Sequence, residues 1–392
     1  MDDFSYNPSS VKEVLKEMKD VSELILDLSY SAVIYNNKKI AKEALRLEER
    51  MDELIYQIRI SSIMGARNIE DAKKLSSVLQ IAEASEKISN AAGDIAKLAL
   101  ENKNLPEDFI GNVSEANEII IKSKVKKGSK GTNKTLGELK LESKTGLRVI
   151  AIRKNEKWIY NPVKTDVLDE DDTVIARGGK EGLPRFYEIL TGKEKQPDIV
   201  QSSGVDSRPA DIAVEMKDVS ELATGLAYSA ILFYTEDIAE EVQELEEKMD
   251  TKDSELEIWV LKAAKNYDES ELGKLRSLLR IGRSSEIISD AAGEMADIVL
   301  RGLELHPIFA LAVRESEEII TKVMAEKGSE VINKKLGEIP LKTKTGMHAM
   351  AIKRGDNWIY NPSAETILKE NDFVIARGTR EGEERLKELL SS

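Results

Sequence analysis

The chain has 392 residues, 33% of them charged, and a formal net charge of −14. That length holds several cores of ordinary domain size, and the acidic balance argues against a general nucleic-acid or anionic-membrane surface. With no cysteine and only two histidines, disulfides, thiolate nucleophiles and cysteine zinc sites are excluded, and histidine acid–base chemistry has little to draw on.

In chain order, Val11, Val14, Met18, Val21, Ile25, Leu28 and Ala32 step by threes and fours, predicting a helix with one buried stripe. A second stripe runs Ile40, Ala44, Leu47, Met51, Leu54, Ile58, and a third Ile81, Ser85, Ile88, Ala92, Ile95, Ala99. Breaks fall near Asn36-Asn37 and Gly65–Asn68, and a further helix is expected between Pro106 and Ile121. Long helices with short connections predict an antiparallel bundle. A mixed segment follows: a strand near Val125, a short helix over 134–139, strands over 147–152 and 158–160, and the turn Asn161-Pro162. A strand over 173–176, after the acidic turn Asp169–Asp172, and a helix over 180–190 complete it.

Then the pattern starts again. Met18-Lys19-Asp20-Val21-Ser22-Glu23-Leu24 returns as Met216-Lys217-Asp218-Val219-Ser220-Glu221-Leu222, an offset of 198. Trp158-Ile159-Tyr160-Asn161-Pro162 returns as Trp358-Ile359-Tyr360-Asn361-Pro362, an offset of 200, so two residues were gained between Asp250 and Ile281. A period this long marks a duplicated multidomain unit, since solenoid repeats run ~20–50 residues. The expected layout is a helical bundle over 9–118, an α/β lobe over 119–191, a linker over 192–209, a second bundle over 210–318 and a second lobe over 319–392. The class is α+β multidomain, with the two halves related by a pseudo-two-fold axis. His306 and His348 face Pro106 and Arg148 in the other copy, so neither is repeated. The chain has no Gly-rich dinucleotide loop and no phosphate-binding loop. An apolar run of spanning length and a signal peptide are also missing, which predicts a cytoplasmic protein that does not insert into a membrane.

Acidic pairs survive the duplication. Glu48 and Asp52 on the second helix match Glu246 and Asp250, and Glu86 and Asn90 on the third match Glu286 and Asp290. Spacing i,i+4 puts each pair on one helix face, ~5–6 Å apart at Cβ. Carboxylates crowded at a half-buried margin repel one another. A hard cation such as Mg²⁺, Mn²⁺, Ca²⁺ or Fe³⁺ would relieve that repulsion and suits all-oxygen ligands.

The helical halves resemble PhoU domains, the three-helix units of phosphate-uptake regulators, whose Glu/Asp-x-x-x-Asp motifs bind polynuclear metal clusters. Glu48/Asp52, Glu246/Asp250 and Glu286/Asp290 fit that motif, and Asn90 departs from it. The mixed halves resemble TrkA-C domains, the C-terminal lobes of potassium-channel gating subunits. The likeness lies in Lys134–Leu139, Thr145–Ile152, Trp158–Pro162 and Thr173–Gly178, and again in Lys334–Ile339, Thr345–Ile352, Trp358–Pro362 and Phe373–Gly378. The resemblance implies lobes that pair two-fold and hold a small anionic effector, in some relatives a cyclic dinucleotide. The matching positions for it are Arg148, Arg153, Asn161, His348, Lys353 and Asn361.

The expected function is that of a non-enzymatic regulator of a membrane cation transporter or channel, with potassium the expected ion. Stronger metal binding is expected in the second copy, and a homodimer is expected overall. The alternative is a PhoU-like regulator of phosphate uptake or signalling in which the lobes serve only to dimerise. A phosphatase-like metalloenzyme is disfavoured, because no nucleophile or histidine accompanies the carboxylates.

Overall fold

The computed structural model describes residues 11–34, 36–101, 105–106, 119–155, 157–160, 162–178, 182–193, 208–269, 271–303, 318–355, 357–360 and 362–391. The first repeat opens with α1 (Val11–Ile34), α2 (Lys38–Gly65) and α3 (Ile69–Leu100). Each stripe read from the sequence is buried: Met18, Ile25 and Leu28 on α1, Leu47, Met51 and Leu54 on α2, Ile81, Ile88 and Ile95 on α3. Asn37 caps α2 by accepting from the backbone N–H groups of Lys39 and Ile40, and Asn68 caps α3 through Asp71. The second repeat supplies α5 (Arg208–Phe233), α6 (Glu236–Ala263) and α7 (Leu272–Leu300). The two extra residues lie in the connection between α6 and α7.

The lobe of the first repeat is a four-stranded antiparallel sheet of β1 (Ile119–Lys124), β2 (Leu147–Lys154), β3 (Lys157–Tyr160) and β4 (Thr173–Gly178), followed by α4 (Leu183–Thr191). The strand order is β1-β4-β2-β3. Two short helices, Leu136–Leu139 and Leu141–Thr145, sit between β1 and β2. The second lobe repeats the order with β5 (Glu318–Met324), β6 (His348–Arg354), β7 (Asn357–Tyr360), β8 (Phe373–Thr379) and α8 (Arg380–Ser391). Of the helix expected over 106–121, residues 107–118 lie outside the described set. Residues 119–121 are strand instead, because Ile119, Ile120 and Ile121 pair with Gly178, Arg177 and Ala176.

Each sheet is buried on both faces, which explains the nearly continuous apolar run in β2. Leu147, Val149, Ile152, Val174 and Ala176 face Phe186 and Leu190 of α4 in a core of the lobe's own. Ile150, Ala151 and Ile175 face the helices and belong to their core. A β-bulge between Val149 and Ala151 makes this possible by shifting the side-chain alternation by one residue. Ile319, Ile320, Ala351 and Ile375 do the same in the second lobe. Each lobe is therefore seated on the helices of its own repeat.

The two bundles pack on each other within one chain. α3 and α7 run antiparallel at the interface, where Lys87 Nζ donates to Glu294 (2.7 Å) and Arg280 Nη1 to Glu101 (2.9 Å). Buried Tyr30 OH bonds Ser220 Oγ (2.8 Å) and Ser285 Oγ (2.8 Å), while Tyr228 OH bonds Ser22 Oγ (2.9 Å) and Ser85 Oγ (2.8 Å). These are equivalent residues of the two repeats, so one contact is made twice about the pseudo-two-fold axis. Burial pushes both phenols up to about 12. No helix among the described residues is long and apolar enough to cross a membrane.

Changing Tyr30 to Phe should remove the phenol's bonds to Ser220 and Ser285, whose own protons keep backbone acceptors, and cost about 0.5–1.5 kcal/mol per bond. Urea unfolding of Tyr30→Phe and Tyr228→Phe should show similar losses, and losses well below that range would mean the bracket is dispensable.

Candidate functional site

Two sets of side chains assemble from the sequence-predicted residues. The first lies at the seam between bundle and lobe. Glu43, on α2 and 2% exposed, accepts from Arg153 Nε (3.1 Å) and Nη2 (3.1 Å) on β2, from Arg46 Nη1 (3.1 Å) on its own helix, and from Lys122 Nζ on β1. Burial pushes the Glu43 carboxyl up, but the Lys122 hydrogen bond and the charges of Lys122, Arg153 and Arg46 outweigh it and hold it below the usual range. Burial pulls Lys122 down, and Arg153 and Arg46 add to that against the pull of Glu43. Arg153 also donates to Asn155 O (2.7 Å) and sits 5.8 Å over the Trp158 ring.

The second seam keeps the frame and changes the charges. Glu241 accepts from Lys322 Nζ (2.6 Å) and from Lys353, which also reaches Glu244 (2.8 Å) and lies 5.5 Å from the Trp358 ring. Glu244 stands where the first repeat has Arg46. Arg148 and His348 lie in register opposite Arg177 and Arg377, and Arg177 Nη1 pairs with Asp27 of α1 (3.0 Å). Of the residues singled out in the sequence, Arg153 and Lys353 thus sit at the seam and hold the bundle's carboxylates. Asn161 and Asn361 lie outside the described residues.

The second set is the acidic pairs on the outer helix faces, and the repeats differ sharply there. In the second repeat, carboxylate oxygens of Glu246, Asp250 and Asp290 all lie within 4.8 Å of one another. Burial and the charges of Asp250 and Asp290 push Glu246 up, while burial and Asp250 push Asp290 up. Glu286 is adjacent, raised by burial and by Asp290, and pairs with Arg283. In the first repeat, Glu48 accepts from Lys97 Nζ (3.4 Å), which also holds Asp94 (3.0 Å). A Cβ on Gly93 would fall 2.3 Å from Glu48 Oε2, so only glycine lets that carboxylate lie across α3. Glu86 is taken by Arg59 Nη2 (3.0 Å). Asp52 and Asn90 are exposed, and among the described residues the first repeat assembles no comparable three-carboxylate group.

Sequence reasoning missed Glu43, Glu241, Lys122 and Lys322, although identity across the two copies marks all four. It also passed over Lys97 and Arg59, whose signal is the opposite one, a reversal of charge between copies.

Known proteins match this architecture. The family model of the PhoU domain matches residues 15–99 and 213–299, and that of the TrkA-C domain matches 120–191 and 320–391. The chain is a tandem of two units, each a PhoU domain followed by a TrkA-C domain. Potassium channel protein 1 of Methanocaldococcus jannaschii is 28% identical over 118 residues, 30% of this chain and 35% of that protein. Probable potassium channel protein 2 of the same organism is 24% identical over 247 residues, 61% of each chain. The chain thus spans between about a third and three-fifths of the length of these curated relatives. The crystal structure of PhoU from Pseudomonas aeruginosa covers 74% of this chain and 96% of its own, at 12% identity and a TM-score of 0.45.

Replacing Glu43 with Gln should leave two lobe cations facing a neutral group in a closed seam. Loss of one partner of such a pair costs about 3–5 kcal/mol. Faster hydrogen exchange in β1 and β2, with α3 unchanged, is the expected readout, and unchanged exchange in β2 would refute the latch role.

The raised carboxyls of the second repeat predict a pH effect. Folded Glu246 and Asp290 hold protons more tightly than the unfolded chain, whose values are the ordinary 4.5 and 3.8. Their charged forms therefore oppose folding near neutrality. The penalty fades as pH falls through the raised folded values, and is gone below the unfolded ones. In chelator, a Glu246→Gln/Asp290→Asn variant should be the more stable form near neutrality, and its advantage over wild type should vanish in acid. An advantage independent of pH would contradict this.

Proposed function

We propose that this chain regulates a membrane cation channel or transporter, with potassium as the ion, and works by binding rather than by catalysis. The observation that carries the reading is the seam. Each TrkA-C lobe gives one sheet face and two cations to the helical core of a PhoU bundle. A change in either domain therefore has a short physical route to the other. The names of the two relatives, both potassium channel proteins, supply the ion.

Two inputs fit this frame. A hard cation would sit on Glu246, Asp250 and Asp290, with Glu286 beside them, where it would neutralise repelling carboxylates and draw α6 and α7 together. An anionic effector, such as a cyclic dinucleotide, would compete with Glu43 for Arg153 and with Glu241 for Lys353, with Arg148 and His348 on the same strands. Either input acts only to the extent that it favours one docking of lobe on bundle over another.

Ion flux through a cation channel of the source organism, reconstituted in vesicles with and without this chain, tests the reading. We expect the chain to change potassium flux and Glu43→Gln or Glu241→Gln to alter that change. An unaffected channel, together with phosphate uptake that responds to the chain in cells, would instead favour a phosphate regulator.

Thermal melting tests the effector. Cyclic dinucleotides should raise the melting temperature in a concentration-dependent way, and Arg153→Ala should weaken the shift. A shift untouched by Arg148→Ala and Arg153→Ala would remove these residues from the site.

A further inference from the structure

We propose that the repeated Met-Lys-Asp-Val-Ser-Glu-Leu motif, in its second copy only, carries a charge relay that couples the two lobes. Lys217, Asp218 and Glu221 on α5 join them, so that a change at Arg177 in the first lobe is felt at Tyr360 in the second. This deepens the regulatory reading above by linking its two lobes, but its test needs neither channel nor effector.

The route can be followed side chain by side chain. Arg177, on β4, pairs with Asp27 of α1 (3.0 Å). Tyr30 lies three residues on from Asp27; its ring sits 5.5 Å from Lys217 Nζ, and its hydroxyl bonds Ser220. Asp27 is thus set beside the motif on α5. There Lys217 is shared between Asp218 (3.1 Å) and Glu221 (2.9 Å). Burial pushes the Glu221 carboxyl up, Lys217 opposes this, and Asp27 and Asp218 add to it, so the charge of Asp27 is felt inside the motif. At the other end, Lys248 on α6 donates to the Tyr360 hydroxyl on β7 (3.0 Å) and pairs with Glu215 (2.8 Å). Burial first, then the charges of Glu215 and Asp218, push the Tyr360 phenol up. Arg177, Asp27, Lys217 and Asp218 are each 12–13% exposed, so solvent screens these charges weakly.

The charges make Lys217 the moving part. With Arg177 in place, Asp27 is neutralised and Lys217 divides itself between Asp218 and Glu221. When the first lobe lifts from its bundle, Asp27 becomes a net negative charge beside Glu221. Lys217 is then drawn to that side and loosens from Asp218. Asp218 in turn competes with Glu215 and Tyr360 for Lys248. The same steps run backwards from a shift of Tyr360, because a coupling free energy is reciprocal. The first copy of the motif lacks the entry point. Lys19 pairs with Glu23 (2.9 Å) as Lys217 does with Glu221, but Gly225 stands where Asp27 would. Arg50, the counterpart of Lys248, is held by Glu17 (2.8 Å) and Glu53 (2.6 Å). Among the described residues, the duplication thus kept the motif twice and the lobe-to-lobe route once.

Site-resolved hydrogen exchange on the full chain tests this. Arg177→Gln should speed exchange in β4 and, at least about twofold, in β7 of the other lobe, with α7 unchanged. The matched variant Arg377→Gln should act on the second lobe alone. Asp218→Asn should abolish the effect of Arg177→Gln on β7, as a shared route requires. Arg177→Lys keeps the charge and should leave β7 near wild type. Exchange in α7 tells a transmitted change from a general loss of stability. Equal effects of the two arginine variants on the distant lobe, or an effect on β7 that survives Asp218→Asn, would overturn the relay. So would faster exchange throughout Arg177→Gln, or none in β7. Each of those results leaves the channel reading standing, since the flux measurement decides that by itself.

Discussion

Two phenols, each buried in the other repeat's helices, fix the molecule's geometry. Ser85 and Ser285 spend their own protons on Ile81 O and Ile281 O, so they can only accept, and each tyrosine must be the donor to them. Ser22 can donate to the Tyr228 oxygen, whereas Ser220 also has the Lys217 carbonyl as an acceptor (2.8 Å). The bonds set the register of α1 on α5 and α7, and of α3 on α5. A slip by one helical turn would strand the two phenols and the Ser22 hydroxyl in an apolar core, while Ser85, Ser220 and Ser285 would keep their backbone acceptors. The Tyr30 ring also lies 5.5 Å from Lys217, which carries Asp218 and Glu221. The bracket therefore ties the packed core to the buried charges beside it.

Once the bundles are locked, the lobes have little freedom. The α1 and α2 faces left uncovered present Asp27 and Glu43, and lobe strands bring Arg177, Lys122 and Arg153 to meet them. The apolar part of the seam gives affinity. The charged part gives register, because a buried carboxylate tolerates only the lobe position that keeps its partners. In the second repeat Asp27 becomes Gly225, and a Cβ there would meet Ile320 Cδ1 at 2.0 Å. The same docking is thus reached once with a charge pair and once by close apolar approach.

Much of this was legible in the sequence, and the rest was hidden for a consistent reason. Periodicity fixes what is local, so the three stripes and the strands at 147–152, 158–160 and 173–176 emerged at or near their places. Duplication separated Trp158 and Trp358 from chance aromatics. Partners distant along the chain were not legible. Arg153 lies 110 residues from Glu43 and Lys122 lies 79 from it, and no spacing rule reaches that far. Ser85 read as a polar intrusion in an apolar stripe, yet its presence again as Ser285, with Tyr30 and Tyr228 likewise doubled, was a readable signal of a shared contact. Arg148 and Arg153 lie on β2, but whether such cations face water or a buried carboxylate depends on a β-bulge that alternation alone does not reveal.

A duplicated chain can do what a homodimer cannot, since each half is free to change its charges while the shared contacts hold it in place. Charge differs between the repeats at both candidate sites. Around the first seam one carboxylate, Glu43, faces Lys122, Arg153 and Arg46. Around the second, Glu241 and Glu244 share Lys322 and Lys353. The first seam therefore carries excess positive charge and the second does not, so an anion arriving from solution would meet unequal competition from the two bundles. At the outer helix faces the first repeat is again the less negative, because Lys97 and Arg59 pair with Glu48 and Glu86 where the second repeat has Asp297 and Glu257. The Tyr–Ser brackets, made once from each half, hold these two differently charged repeats in one core.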